Sequence, residues 1–118
     1  MIKVIIAGGR GFTNYQLLKL KCDQILVNVK KDIQIVSGGA RGADELGERY
    51  AKEKHYSVKR FEARWDIYGK RAGFIRNQEM AEYADALIAF WDGKTPGTRM
   101  MISLAHERVL KVRVVKYV

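Results

Sequence analysis

The chain has 118 residues, the size of one domain with a single core, and a domain spanning the whole of it is expected. Apolar residues make up 47%, a globular proportion, and no apolar run approaches the ~20 residues of a membrane span, which argues against a membrane partner. Basic residues number 22 against 13 acidic, a net charge of +9 that points toward anionic ligands or nucleic acid.

The elements follow one another in a simple rhythm. Ile2 to Ala7 reads as a buried strand, and Met1 leads straight into it with no signal peptide, so a cytoplasmic protein is expected. Thr13 and Gln16 have capping-box spacing before a helix to about Val29, with Leu18, Cys22, Ile25, Leu26 and Val29 on one stripe. Cys22, the lone cysteine, has no disulfide partner within the chain and falls on that stripe as core packing, which suits a reducing compartment. Ile33 to Val36 is a short strand, followed by a helix from about Gly42 to Lys54 and a weaker strand from Tyr56 to Phe61. Arg64 to Gly73 reads as an irregular aromatic and basic linker. A helix over Phe74 to Tyr83, a strand over Ala86 to Trp91, a helix from Thr98 to about Arg108 and a strand from Lys111 to Val118 complete the chain. Strands and helices alternate throughout, which predicts a mostly parallel five-stranded sheet with helices on both faces, an α/β three-layer domain.

Three of the strand ends open into glycine loops: Gly8-Gly9-Arg10-Gly11, Ser37-Gly38-Gly39-Ala40-Arg41-Gly42, and Asp92 to Thr98 with Gly93 and Gly97. Glycine lets the backbone turn with no Cβ in a ligand's way, and a following helix aims free N–H groups and its positive dipole end at an anion. In an open parallel sheet, ligands bind beyond the carboxyl ends of the strands, where all three loops lie. The basic residues divide accordingly. Arg10, Arg41, Arg64, Lys70, Arg71, Arg76, Lys94 and Arg99 lie in or beside these loops, whereas Lys19, Lys21, Lys30, Lys31, Lys52 and Lys54 sit on helices or at their ends as solvated face. Gly9-Arg10-Gly11 lacks the third glycine of a dinucleotide fingerprint, and Gly93-Lys94-Thr95 lacks the first glycine of a Walker A loop, so neither motif is met.

The Ser37–Asp44 segment is the best single motif for a phosphate, with backbone N–H groups, the Ser37 hydroxyl and an Arg41 fork converging on one anion. Its Asp44 suits either the helix dipole or a ribose contact. Arg76 and Asn77 open the third helix with a guanidinium and an amide fit to read phosphate or a base edge, and Trp65, Tyr68 and Trp91 offer rings for stacking, although Trp91 at a strand end better suits half-buried packing. His55 and His106 stand apart from any acid or cysteine at ligand spacing, so neither a metal nor a resident cofactor is expected, and no nucleophile–histidine arrangement marks a catalytic residue.

Four motifs, in order and at matching spacing, together resemble the SLOG superfamily, and within it the small stand-alone bacterial and phage members. They are Gly8-Gly9-Arg10-Gly11-Phe12, the run from Ser37 to Ala51, Gly73-Phe74-Ile75-Arg76-Asn77-Gln78-Glu79-Met80, and the run from Ala89 to Ala105. The resemblance implies a Rossmann-like fold that binds a nucleotide or nucleotide-derived ligand. Relatives so implied include the Lonely Guy phosphoribohydrolases, the single-stranded DNA-binding domain of DNA-processing protein A, and sensors of ADP-ribose-type signals. Carried over residue by residue, Arg76 and Met80 keep the arginine and methionine of the Lonely Guy helix start, with Asn77 in place of lysine. Gly97 and Thr98 keep the glycine and threonine of the second motif, but Met101 stands where its catalytic glutamate would be. A thioether is no general acid. The expected function is therefore binding of a phosphorylated nucleoside as sensor, carrier or sequestering protein, through Gly8, Gly9, Arg10, Ser37, Gly38, Gly39, Arg41, Gly42, Asp44, Arg76, Asn77, Gly97 and Thr98. A nucleotide phosphoribohydrolase with Asp44 or Glu79 as a displaced acid, and single-stranded nucleic-acid binding, stay open as alternatives, as does self-association.

Overall fold

The computed structural model describes residues 1–117. Its elements are β1 (Ile2–Gly8), α1 (Tyr15–Leu26), β2 (Ile33–Ser37), α2 (Ala43–Lys54), β3 (Ser57–Arg60), α3 (Trp65–Tyr68), α4 (Ala72–Tyr83), β4 (Ala86–Trp91), α5 (Pro96–Glu107) and β5 (Lys111–Lys116). One 3-10 turn, Gly69–Arg71, joins α3 to α4. Val118, the last residue of the predicted closing strand, lies outside the described residues.

All five strands pair in parallel, in the order β3-β2-β1-β4-β5, so the sheet is wholly rather than mostly parallel. Successive side chains of a strand point to opposite faces, and β1 uses both. Val4 and Ile6 join Leu18, Cys22, Ile35, Tyr50, Ile88 and Phe90 in the layer under α1 and α2. Ile5 and Ala7 join Val36, Met80, Leu87, Ala89, Met101 and Leu104 in the layer under α4 and α5. Each fully buried aliphatic side chain contributes ~1.5–3 kcal/mol, and burial on both faces is why β1 from Val4 onward and β4 read as unbroken apolar runs. The edge strand β3 is exposed throughout. Among the described residues no helix is long and apolar enough to cross a membrane.

Local chemistry moves several boundaries from their predicted places. The cap of α1 is Asn14, whose Oδ1 accepts the Leu17 N–H at 3.0 Å, in place of the Thr13–Gln16 capping box. That helix stops at Leu26, ahead of a Val27-Asn28-Val29 stretch of weak helix formers. The predicted linker from Arg64 to Gly73 is ordered: the Arg64 carbonyl accepts the Ile67 and Tyr68 N–H groups at 3.0 and 2.9 Å to make the single turn of α3. Of its two glycines only Gly69 breaks the chain, at φ +58, while Gly73 sits inside α4 beneath Trp65. Pro96 starts α5 two residues early, its fixed φ suiting a first helical position.

The chain builds outward from β1 to β3, then returns to the far side of β1 for β4 and β5. Strand order therefore reverses between β1 and β4, and a crevice opens beyond their carboxyl ends.

Candidate functional site

Three loops meet at this crevice, and backbone hydrogen bonds tie two of them together. The Gly9 carbonyl accepts the Phe12 N–H and the Ala43 N–H, each at 3.2 Å, joining the loop after β1 to the first residue of α2. Gly42 takes φ +79, and a Cβ there would stand 2.3 Å from the Gly9 oxygen. No other residue fits. Gly8 packs as tightly, against Phe90 and Ala43. After β4, Asp92 organises its own loop, accepting the Lys94 and Thr95 N–H groups and the Thr95 hydroxyl at 2.8 Å each. Those Thr95 and Lys94 bonds lower the Asp92 carboxyl to about 2.

The resulting cleft has a volume of about 530 Å³, within the roughly 300–1,000 Å³ of small-molecule sites. Gly8, Gly9 and Arg10 form one side and Gly97 and Thr98 another; Asp44, Arg76 and Asn77 also line it, with Met80 and Met101 in its apolar part. Trp65, 52% exposed, stands at its edge. A smaller recess of about 330 Å³ adjoins along Arg10, Ala40, Trp65 and Arg76 and is lined by Gly38, Gly39 and Arg41. Of the thirteen residues expected from sequence, Ser37 and Gly42 line neither space. Ser37 is fully buried, donating from Oγ to Glu48 at 2.6 Å and accepting the Gly39 N–H at 3.1 Å. It braces the loop from inside. Burial opposes charge on Glu48, but hydrogen bonds from Arg60 and Ser37 outweigh it and hold the carboxyl below its ordinary value.

Arg76 and Asp44 form the charged wall. The Arg76 guanidinium donates to the Gly38 carbonyl and, at 2.8 Å, to Asn77 Oδ1. Burial pulls Arg76 below its ordinary value, Asp44 pushes it back up, and Arg10 adds to the lowering. Asp44 is 7% exposed, and its Oδ2 accepts the Ala40 N–H at 3.1 Å. Burial raises its carboxyl to about 6, against the lowering effect of the Ala40 N–H, Arg76 and Arg10, with Glu48 adding to the rise. A Cβ on Gly38 would lie 2.7 Å from Arg76 Nη1 and 2.8 Å from Asp44 Oδ2, so this glycine leaves room for both charged groups.

The two helix starts at the cleft differ in charge. The first turn of α2 carries Asp44 and Glu45, and its Ala43 N–H is already bonded to Gly9. The first turn of α5 holds no acid, and no side chain caps it among the described residues. A Cβ on Gly97 would meet nothing within 4 Å, and Thr98 is buried against the cleft. Trp91, a stacking candidate, donates its indole N–H to the Thr95 carbonyl at 3.1 Å and has the Arg99 guanidinium 5.5 Å from its ring centre. Tyr68 borders neither space, which leaves Trp65 as the ring at the cleft. Ala40, within the Ser37–Asp44 segment, and Gly73, Met80 and Thr95 also line the cleft, though none was among the thirteen expected residues. Met80 is the one with a signal, lying one helical turn beyond Arg76 on the same face.

Residues 2–68 match the model of the YspA, cpYpsA-related SLOG family. Over 95% of this chain and 94% of the relative, the sequence is 33% identical to the Gene 61 protein of Mycobacterium phage D29. Among solved structures it is similar to DNA processing protein A from Helicobacter pylori, a single-stranded DNA-binding protein. The TM-score is 0.73 at 22% identity, covering 99% of this chain and 66% of that one, so this chain spans just under two thirds of that protein's length. It is also similar to TM1055, with a TM-score of 0.69 at 20% identity over 95% of this chain and 72% of the other. At these identities the structural likeness establishes the fold, Rossmann-like and all-parallel. The family model covers more than half of the sequence, and on that match the chain belongs to the YspA, cpYpsA-related SLOG family.

Proposed function

We propose that the cleft binds a phosphorylated nucleoside or nucleotide-derived ligand, and that the protein acts as its sensor, carrier or sequestering protein. Membership of a SLOG family implies a nucleotide-related ligand in general. The observation that supports the finer reading is the first turn of α5, which carries no acid and opens on a cleft at the strand reversal. A phosphate there accepts the Gly97 and Thr98 N–H groups and the Thr98 hydroxyl, with the helix dipole in its favour. The Gly8–Arg10 loop closes over it, Trp65 stacks on the base, and Gly38, Gly39 and Arg41 receive any second phosphate or sugar in the recess. A thermal-shift panel of AMP, ADP-ribose, NAD and cyclic nucleotides tests this, alongside mass spectrometry of ligand released from the purified protein. At least one nucleotide is expected to raise the melting temperature in proportion to the logarithm of its concentration. No shift from any of them at millimolar levels contradicts the reading.

Single-stranded nucleic acid is a second reading, supported by one surface. Trp65, Ile67, Tyr68 and Phe74 are exposed beside the cleft, interleaved in sequence with Arg64, Lys70 and Arg71. Such a face engages many phosphates, so affinity for an oligonucleotide would fall steeply with salt, whereas a mononucleotide pocket would respond weakly. For hydrolysis, Met101 is buried in the cleft at the position where the Lonely Guy resemblance implies a glutamate. Glu79 is exposed and borders neither space, which leaves Asp44 as the carboxylate at the cleft. Base release from AMP at about 1 per second or faster, a typical enzyme rate, would move the assignment to an N-glycosidic hydrolase.

A further inference from the structure

We propose that Asp44 reads the ribose of the bound nucleotide, accepting its 2′- and 3′-hydroxyl hydrogens, so that the cleft selects ligands with a free vicinal diol. This deepens the nucleotide reading above and rests on it. Asp44 is more than nine-tenths buried yet lines the cleft. Only one of its oxygens is occupied: Oδ2 takes the Ala40 N–H, while Oδ1 meets no protein donor among the described residues. Arg76 does not fill that vacancy: the bonds its guanidinium makes among the described residues go to Gly38 and Asn77, and none goes to Asp44. It acts as a neighbouring positive charge that favours the ionised carboxylate. A buried carboxylate with an open oxygen accepts hydrogen bonds only, so the ligand must bring donors to it.

Chemistry then orients the ligand. A phosphate beside Asp44 would face a buried like charge, whereas the first turn of α5 carries no acid and offers free N–H groups. Asp92 of the preceding loop lies outside the cleft lining and is turned to the Lys94 and Thr95 N–H groups. The ends of β2 and β4, which lead into α2 and α5, flank β1 on either side. Two strand spacings of about 4.8 Å separate them, a gap that a ribose 5-phosphate bridges with its phosphate at one helix start and its diol toward the other. The remaining donors on a nucleotide belong to the base, an exocyclic amine or a ring N–H, and the base is assigned to Trp65 at the cleft edge. Two hydroxyls on one carboxylate are the better match to an inner-wall acceptor.

The test is calorimetric titration of wild type, Asp44→Ala and Asp44→Asn with AMP, IMP, GMP, CMP and UMP and their 2′,3′-dideoxy counterparts. Asparagine retains an oxygen for the Ala40 N–H and serves if the alanine variant melts early. Wild type is expected to bind the ribonucleotide about tenfold or more tightly than its dideoxy counterpart, the worth of a charged hydrogen bond. Asp44→Ala should bring that ratio close to one, chiefly by weakening the ribonucleotide, and Asp44→Asn should reduce it in part. AMP, which has no ring N–H, and IMP, which has no exocyclic amine, share the diol as their common donor and should depend on Asp44 alike. Equal wild-type affinity for ribo- and dideoxy forms, or equal losses for both in Asp44→Ala, overturns the diol assignment and leaves nucleotide binding intact. Absence of wild-type binding to all ten compounds overturns the diol assignment and mononucleotide binding together.

Discussion

Both α2 and α5 begin at a glycine loop behind a central parallel strand, yet α2 opens with Asp44 and Glu45 and α5 with Pro96, Gly97 and Thr98. The loop before α2 is the richer in glycine, and its glycines are taken up by the protein itself. Gly42 lies against the Gly9 carbonyl, Gly38 makes room for Arg76 and Asp44, and the Ala43 N–H is bonded to Gly9. A Cβ on Gly97 would meet nothing within 4 Å. Glycine content marks a tight backbone in one loop and open space for a ligand in the other, and the charge of the first helical turn separates the two cases.

The sharpest way to break this contrast is to place the same methyl group at each glycine. Gly42→Ala puts a Cβ 2.3 Å from a carbonyl oxygen at a positive φ and is expected to cost about 3 kcal/mol or more, a fall in melting temperature of roughly 10 °C or more. Gly97→Ala fills open space in a helix and should leave the melting temperature level or raise it. Similar melting for the two variants would remove the distinction.

Asp44 gives the next largest effect, with a definite dependence on pH. The carboxyl is raised to about 6 by burial, with Glu48 adding to the rise and the Ala40 N–H, Arg76 and Arg10 opposing it. The ordinary value is ~3.9. Between these values the folded state holds the proton more tightly than the unfolded chain, so this group's contribution falls as pH rises from about 4 to about 6. Asp44→Asn should therefore gain about 2 kcal/mol over wild type near pH 7 and lose that advantage by about pH 4, as read from urea unfolding across pH. A variant less stable than wild type at neutral pH would show that the carboxylate holds the α2 loop together rather than waiting for a ligand.

Arg41 sharpens the comparison at smaller scale. It is exposed and borders the recess alone, so Arg41→Ala should leave melting unchanged. Binding of ADP-ribose should weaken about tenfold and binding of AMP less than that. Equal losses for both would bring the first phosphate back to the α2 loop.

Much of the fold was legible because parallel strands buried on both faces leave continuous apolar runs, as in Val4-Ile5-Ile6 and Leu87-Ile88-Ala89-Phe90. The misplaced boundaries have local causes. Asn14 competed with Thr13 for the cap, and Gly73 carried the same breaker signal as Gly69 while lying inside a helix. At the site, the sequence brought Gly8, Arg10, Asp44, Arg76 and Gly97 forward as one end of the sheet, and their convergence on a single cleft follows from the strand order. The inward turn of Ser37 was not legible, because its partners Glu48 and Arg60 lie 11 and 23 residues further along the chain and meet it only through α2 and β3. The packing role of Trp91 was legible from its place at a strand end, but its hydrogen bond to Thr95 and the guanidinium over its ring were not.

The most direct test of phosphate capture by α5 is Gly97→Asp, assayed for melting and for titration with whichever nucleotide binds the wild type. A carboxylate in the first turn of a helix favours the dipole by ~0.3–1 kcal/mol and meets no steric obstacle at Cβ. The variant should therefore melt at or above the wild-type temperature while losing nucleotide affinity by about a hundredfold, through like charge against the phosphate. Wild-type affinity in a stably folded Gly97→Asp protein would contradict the account and send the phosphate elsewhere in the cleft.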